Sequence, residues 1–337
     1  MDAKFWRAAS LALALLVAAA GGSRAAEPLT LHVGWAVVPG QLTSIIFAKK
    51  DILKHYGKSY TVELTHFRGS APQITALAAG ELDIAALAFS SFGLAIQNAR
   101  MEDLRLIGDL YQDGIDDYYA NEYLVRSDSP IHKIEDLKGK VLASNGIGGA
   151  VDMAMRKILR DHELEAKRDY QIVEVQFPNM AAALEEGKVD LAGMVMPFSL
   201  IAKKSGKVRT LFTMKDAMGE AQTTLMAARA PFIAKHRAAL VDFFEDWQRA
   251  MRWYYDPKNR TEALQILSDF TKQPPSAYED WVFTKKDYYR SPDVLPNVKA
   301  LQNNLNVQKE LGLLKVSIDV SKYEDLSLVK EAAKRSR

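Results

Sequence analysis

The sequence contains no cysteine. That absence excludes disulfides, thiolate metal sites, a cysteine nucleophile and an N-terminal cysteine carrying a lipid anchor. Charge of one sign is missing too. The formal net charge is +2 over 337 residues, which makes no basic field for nucleic acid. The six histidines (His32, His55, His66, His132, His162, His236) show no paired ligand spacing, so no metal is expected. There is no Gly-x-Ser-x-Gly elbow and no phosphate loop, since the Gly57-Lys58-Ser59 run has Ile52 where that loop's first Gly would stand. The acidic pair Asp116-Asp117 reads as solvated loop charge. After residue 25 no apolar run approaches the ~20 residues that span a bilayer.

What is present begins with a targeting pattern. Lys4 and Arg7 give a positive start, Leu11 to Ala20 is an unbroken apolar run, and Ser23-Arg24-Ala25 supplies small residues around a cut after Ala25. Residues 1–25 are therefore expected to be a secretory signal peptide. Their removal takes away Lys4, Arg7, Arg24 and Asp2 and leaves a net charge of zero. A periplasmic location is expected for the mature chain, as a monomer. The remaining composition, 48% hydrophobic and 26% charged for the whole chain, is that of a globular protein with one large core or two medium ones.

Strand-like and helix-like patterns alternate. Strands are expected at Leu29–Val33, Tyr60–Thr65 and Asp83–Ala88, with helices at Gln41–His55 and Ala71–Ala79. This order predicts parallel sheet covered on both faces. Ala76-Leu77-Ala-Ala-Gly80-Glu-Leu82-Asp83-Ile84-Ala85 has a counterpart in Ala183-Leu184-Glu-Glu-Gly187-Lys-Val189-Asp190-Leu191-Ala192. Both read as a helix end, a Gly C-cap, an Asp and an apolar strand. The fold class is therefore α/β, with two similarly built lobes: residues 26–121 plus 226–337, and residues 122–225. Leu124–Arg126 and Leu225–Ala227 read as extended segments linking the lobes at a hinge. Beyond Pro231 the chain reads as helical and packed on the first lobe, with the aromatic run Phe243, Phe244, Trp247, Trp253, Tyr254, Tyr255 as core and interface packing.

Gly80-Glu-Leu-Asp83, Ser127-Asp-Ser-Pro130-Ile with Asp136-Leu-Lys-Gly-Lys140, and Gly187-Lys-Val-Asp190 occur in this order. In them the chain resembles periplasmic substrate-binding proteins of the sulfonate, taurine and nitrate class, relatives of thiamine-pyrimidine binding proteins. The resemblance implies a periplasmic-binding-protein type II fold with the ligand in the cleft between lobes. It also implies ABC importer permease and ATPase subunits as partners, the permease contacted directly. The Met194-Val-Met196-Pro197-Phe198 segment departs from the polar or acidic stretch that many members carry after the last strand of the second lobe.

Ligands of open α/β sheets bind beyond the carboxyl ends of strands, where helix N-termini offer free N–H groups. Four loops qualify. Trp35 to Gln41 offers an apolar wall with Trp35, Val37 and Gln41. Gly69-Ser70-Ala71-Pro72 offers an N-cap hydroxyl, at Ser70 and Ala71. Phe89, Ser90 and Ser91 combine a ring with two hydroxyls. Asn145, Gly146, Ile147, Gly148 and Gly149 allow close backbone approach and read as an anion-binding helix start. Val151 stands where a dinucleotide fingerprint would need Gly or Ala. Tyr118 and Tyr119 flank the expected hinge, and Met196 and Phe198 follow the last strand of the second lobe.

Apolar and aromatic loop residues beside helix N-termini suit a small organic anion, an aromatic carboxylate or an organosulfonate, better than nitrate or taurine. No catalytic residue and no cofactor are expected. A sensor that signals on closure is the alternative among binding proteins. A pyrimidine-synthase-like enzyme is the alternative from another class, opposed by the missing cysteines.

Overall fold

A computed structural model describes residues 27–116, 118 and 121–336. The segment read as a signal peptide lies outside the described residues. Among those described, no helix is long and apolar enough to cross a membrane.

The elements run β1 (Leu29–Trp35), β2 (Tyr60–His66), α1 (Ser70–Ala79), β3 (Ala85–Ala88), α2 (Phe89–Asn98), β4 (Leu104–Asp113) and β5 (Asn121–Arg126). Then come β6 (Val141–Ser144), α3 (Ala150–Asp161), β7 (Gln171–Glu174), α4 (Phe177–Glu185), β8 (Leu191–Val195), α5 (Phe198–Lys204) and β9 (Val208–Thr213). They end with α6 (Met214–Met218), β10 (Ala221–Arg229), α7 (Ala230–Tyr255), α8 (Arg260–Thr271), α9 (Val298–Glu310) and α10 (Ser327–Arg335).

Two sheets result. In the first, β1 pairs in parallel with β2, a parallel bridge from Val33 to Ile84 joins β3, and β10 runs antiparallel between β3 and β4. In the second the order is β7-β6-β8-β5-β9, with β5 antiparallel to both neighbours. The sheets are therefore mixed rather than wholly parallel. The strand that re-enters each one arrives from the other sheet and can only run backwards.

The sequence repeat has a physical function. Gly80 and Gly187 end their helices at φ 76° and φ 68°, a left-handed turn that costs a glycine little. Asp83 then accepts the His32 N–H at 2.8 Å, and Asp190 accepts the Val141 N–H at 2.9 Å. Each Asp thus pins the strand that neighbours, in parallel, the one it precedes.

Three expectations change. Gln41–His55 is not a helix but two short 3₁₀ turns, Leu42–Ser44 and Lys50–Ile52, joined by irregular backbone. The β-branched Thr43, Ile45 and Ile46 are stiff in a helix, and tertiary partners claim the backbone. Tyr254 donates to the Ile45 carbonyl, and Asp246 accepts the N–H groups of Lys54, His55 and Tyr56. Leu124–Arg126 and Leu225–Ala227 are ordinary strand residues inside one sheet each. The chain leaves the first sheet after Asp113 and the second after Thr213, and the two passages meet at Gly114 and Gly219. A Cβ on Gly114 would stand 2.4 Å from the Gly219 carbonyl oxygen.

The C-terminal helices pack on the first sheet's side, as expected. Phe243, Phe244 and Trp247 of α7 join Leu31, Ile46 and Phe47 in one core cluster. Each fully buried ring of this kind is worth about 1.5–3 kcal/mol. Trp253 and Tyr255 are half-buried at its margin.

Asp109, inside β4, is buried, and burial pushes its carboxyl up to about 6, against hydrogen bonds from Gln222, the Ser291 N–H and Gln112 that pull it down. Its ordinary value is 3.8. The folded state therefore holds this proton more tightly than the unfolded chain does. The resulting stabilisation is complete below about pH 4 and is lost as pH rises through about 6, a change of about 3 kcal/mol. Asp109→Asn is expected to flatten the unfolding free energy between pH 4 and 7 relative to the wild type. Chemical denaturation at stepped pH measures this, and an unchanged slope refutes it.

Candidate functional site

Between the two sheets lies a cleft of about 320 Å³. The first sheet contributes three strand-end loops. After β1, Gln41 turns its side-chain carbonyl back to accept the Ala36 N–H at 2.7 Å, and Arg290 donates to the carbonyls of Pro39 (2.6 Å) and Gly40 (3.0 Å). This loop is therefore held from outside and presents Val37 and Gln41 to the cleft. After β2, Gly69 turns the chain into α1, and Arg68, Ser70 and Ala71 face the space. After β3, α2 starts at once and presents Ser91. The Ser70 hydroxyl accepts the Ala88 N–H at 3.0 Å and so ties the second loop to the third.

Neither α1 nor α2 has a capping side chain or an acidic residue in its first turn. The first N–H groups of a helix lack intrahelical partners and carry about half a positive charge. Arg68 adds a full one. It is exposed and makes no hydrogen bond or ion pair with any described residue.

The second sheet's contribution differs from expectation. Asn145, Gly146, Ile147, Gly148 and Gly149 line the cleft, as do Val151, Phe177 and Val195. Yet this glycine loop is already answered by its own acids. The Ile147 N–H goes to Glu174 at 2.8 Å, the Gly148 N–H to Asp152 at 2.7 Å, and the Gly149 N–H to the Gly146 carbonyl at 3.1 Å. These three N–H groups are therefore not free for a ligand, and the second sheet's side of the cleft is largely apolar.

Tyr111, Asn121, Thr223 and Thr224 complete the lining. Asp113 accepts both the N–H of Asn121 (3.0 Å) and its Nδ2 (2.7 Å), which orients the amide. The Asn121 Oδ1 is then a buried acceptor with no partner among the described residues. A buried acceptor left unmatched costs about 1–3 kcal/mol, so a ligand donor placed here gains that much.

Several residues expected at the site lie elsewhere. The Trp35 ring packs on His66 and Phe270, with centroids at 4.4 and 5.5 Å. Phe89 and Ser90 are fully buried, because the first residues of α2 aim their side chains into the core. Met196 is buried, and its carbonyl accepts the Tyr288 hydroxyl. Phe198 stacks on Phe177 at 5.7 Å and supports the wall from behind. Tyr118 packs on Tyr289 at 5.4 Å and lines a different cavity. Tyr119 lies outside the described residues. The residues missed are chiefly those of antiparallel strands, Tyr111, Asn121, Thr223 and Thr224, whose place in the sheets no local pattern shows. Arg68 is legible in the sequence, two residues before Ser70 in the same loop.

One His/Asp/Glu group among the described residues has cation-ligand geometry: His55, Asp242 and Glu245, with donor atoms within 4.8 Å of one another. Lys54 and Arg249 already pair with Glu245, and Arg335 pairs with Asp242. This satisfies the carboxylates without an ion.

Two mixed α/β sheets with crossing strands and a cleft between them define a periplasmic-binding-protein type II fold. The model of the NMT1-like family matches residues 24–268, and the chain belongs to that family. A Bacillus subtilis protein provisionally named an aliphatic sulfonates-binding protein is 28% identical over 275 residues, covering 80% of this chain and 78% of its own. A second from the same organism, the provisionally named binding protein YtlA, is 24% identical over 184 residues; the match covers 53% of this chain and about half, 54%, of that relative's length. Among solved structures, the periplasmic aliphatic sulphonate binding protein SsuA from Escherichia coli superposes with a TM-score of 0.68 at 19% identity, covering 88% of this chain and 92% of its own. The desulfurization enzyme DSZB superposes with a TM-score of 0.66 at 13% identity, covering 92% and 100%. The fold therefore hosts both binding and catalysis, and the site has to separate them.

Proposed function

We propose that the chain is the extracytoplasmic solute-binding component of an ABC importer, and that it takes a small organic anion in the cleft. The observation that carries this reading is the lining itself. Arg68 is the one formally charged side chain among the described lining residues, and it stands beside two uncapped helix starts, opposite the apolar Val151, Phe177 and Val195. The names of the sulfonate-binding relatives support the same class. No His, Asp, Glu, Lys or Cys lines the cleft among the described residues, so it offers hydroxyls, amides and a guanidinium but no general base. That favours capture without chemistry.

The carboxylate or sulfonate head sits at Arg68 and the starts of α1 and α2. The aliphatic or aromatic body lies on the opposite wall, and an O–H or N–H donor on the ligand completes Asn121. Nitrate or taurine would leave that wall uncovered. The lobes, residues 26–121 with 226–337 and residues 122–225, turn about the passages at 114–120 and 214–220. Ligand contacts to both lobes favour the closed state, and the importer's permease, with its ATPase, receives that form. The protein works in the periplasm, freed from its signal peptide.

Calorimetry with benzoate, 1-octanesulfonate, taurine and nitrate tests this. One of the two organic acids is expected to bind, and Arg68→Gln to weaken it about tenfold or more, the scale of one hydrogen bond to a charged group. Tight binding of nitrate or taurine alone, or indifference to Arg68→Gln, would sink the reading.

A further inference from the structure

We propose that a second small-molecule site lies behind the cleft and takes a planar aromatic carboxylate or sulfonate. A cavity of about 380 Å³ is walled by the rings of Tyr118, Tyr255, Tyr288 and Tyr289, with Arg252 and Asp256 at its polar side. It shares no lining residue with the cleft. The two spaces are back to back, because the Tyr288 ring stands 4.6 Å from Tyr111, which lines the cleft.

The chemistry of the walls selects the ligand. Tyrosine rings pack a flat aromatic body by offset or edge contacts. The charges decide the head group. Arg290, also in the wall, is spent on Asp287, Tyr255 and the carbonyls of Pro39 and Gly40. Asp256 is engaged as a helix cap, accepting the Lys258 N–H at 3.0 Å. Arg252 is different. It is exposed and makes no hydrogen bond or ion pair among the described residues. Its planar fork is free for a carboxylate or sulfonate, which it binds through paired N–H donors. A cationic ligand would meet the Arg252 charge and is disfavoured.

4-Bromobenzoate is a suitable probe, since bromine reports its own position by anomalous scattering. Crystals soaked with it are expected to show a bromine peak among Tyr118, Tyr255 and Tyr289. In solution, Arg252→Gln is expected to weaken this binding at least tenfold without touching the cleft, and Arg68→Gln to leave it unchanged. A bromine peak beside Arg252 with none in the cleft would uphold this site, and the cleft reading would then stand or fall on the 1-octanesulfonate calorimetry. A peak in the cleft alone, or affinity at this site unmoved by Arg252→Gln, overturns the proposal.

Discussion

Arg290→Met is expected to destabilise the protein by about 3–5 kcal/mol, the cost of breaking a buried ion pair from one side. The Arg290 and Asp287 side chains are 3% and 0% exposed and lie 3.1 Å apart. Methionine fills similar space but leaves the Asp287 carboxylate buried without its counter-charge, supported by the N–H groups of Phe283 (2.8 Å) and Tyr288 (2.7 Å) and a longer bond from the Tyr255 hydroxyl (3.4 Å). It also strands the carbonyls of Pro39 and Gly40, which Arg290 holds. Those two residues belong to the loop that presents Val37 and Gln41 to the cleft. Ligand affinity should therefore fall together with stability. Urea unfolding of the single variants and of Arg290→Met with Asp287→Asn completes the test. If the stranded charge dominates, the double variant is more stable than Arg290→Met alone. A loss below about 1 kcal/mol, or strict additivity, would refute the account.

Asp246→Ala is expected to cost a similar amount, about 3–5 kcal/mol, because several donors lose one acceptor together. Asp246 is fully buried on α7. Its carboxylate accepts the N–H groups of Lys54 (2.6 Å), His55 (2.9 Å) and Tyr56 (3.0 Å) and the Tyr60 hydroxyl (3.0 Å). These bonds dock α7 onto the chain leading into β2. Asp246→Asn keeps one acceptor oxygen and should fall between the alanine variant and the wild type. Thermal and urea unfolding measure both. An alanine variant within about 1 kcal/mol of wild type would show that water replaces the carboxylate.

How much of this was legible beforehand follows from the range of each interaction. The Gly80/Gly187 and Asp83/Asp190 repeat was legible because a helix end, a left-handed glycine and a strand start are neighbours in the chain. The loops at Ser70 and Ser91 were legible because a ligand-facing helix start directly follows its strand. The absent helix at Gln41–His55 was not, since Tyr254 and Asp246, some two hundred residues away, claim its backbone.

The sequence by itself determined the α/β class, the doubled architecture, the apolar core of α7 and a cleft built from strand-end loops. These rest on periodicity, capping and turn chemistry within about a dozen residues. Only the tertiary structure decided which way the crossing strands β5 and β10 run, and so brought Tyr111, Asn121, Thr223 and Thr224 to the cleft. It alone turned Trp35, Phe89 and Met196 away. It alone paired the glycine loop with Glu174 and Asp152. A hydrogen bond depends on atoms meeting within about 3 Å, and which distant residues meet is settled when the sheets pack, not when the chain is read.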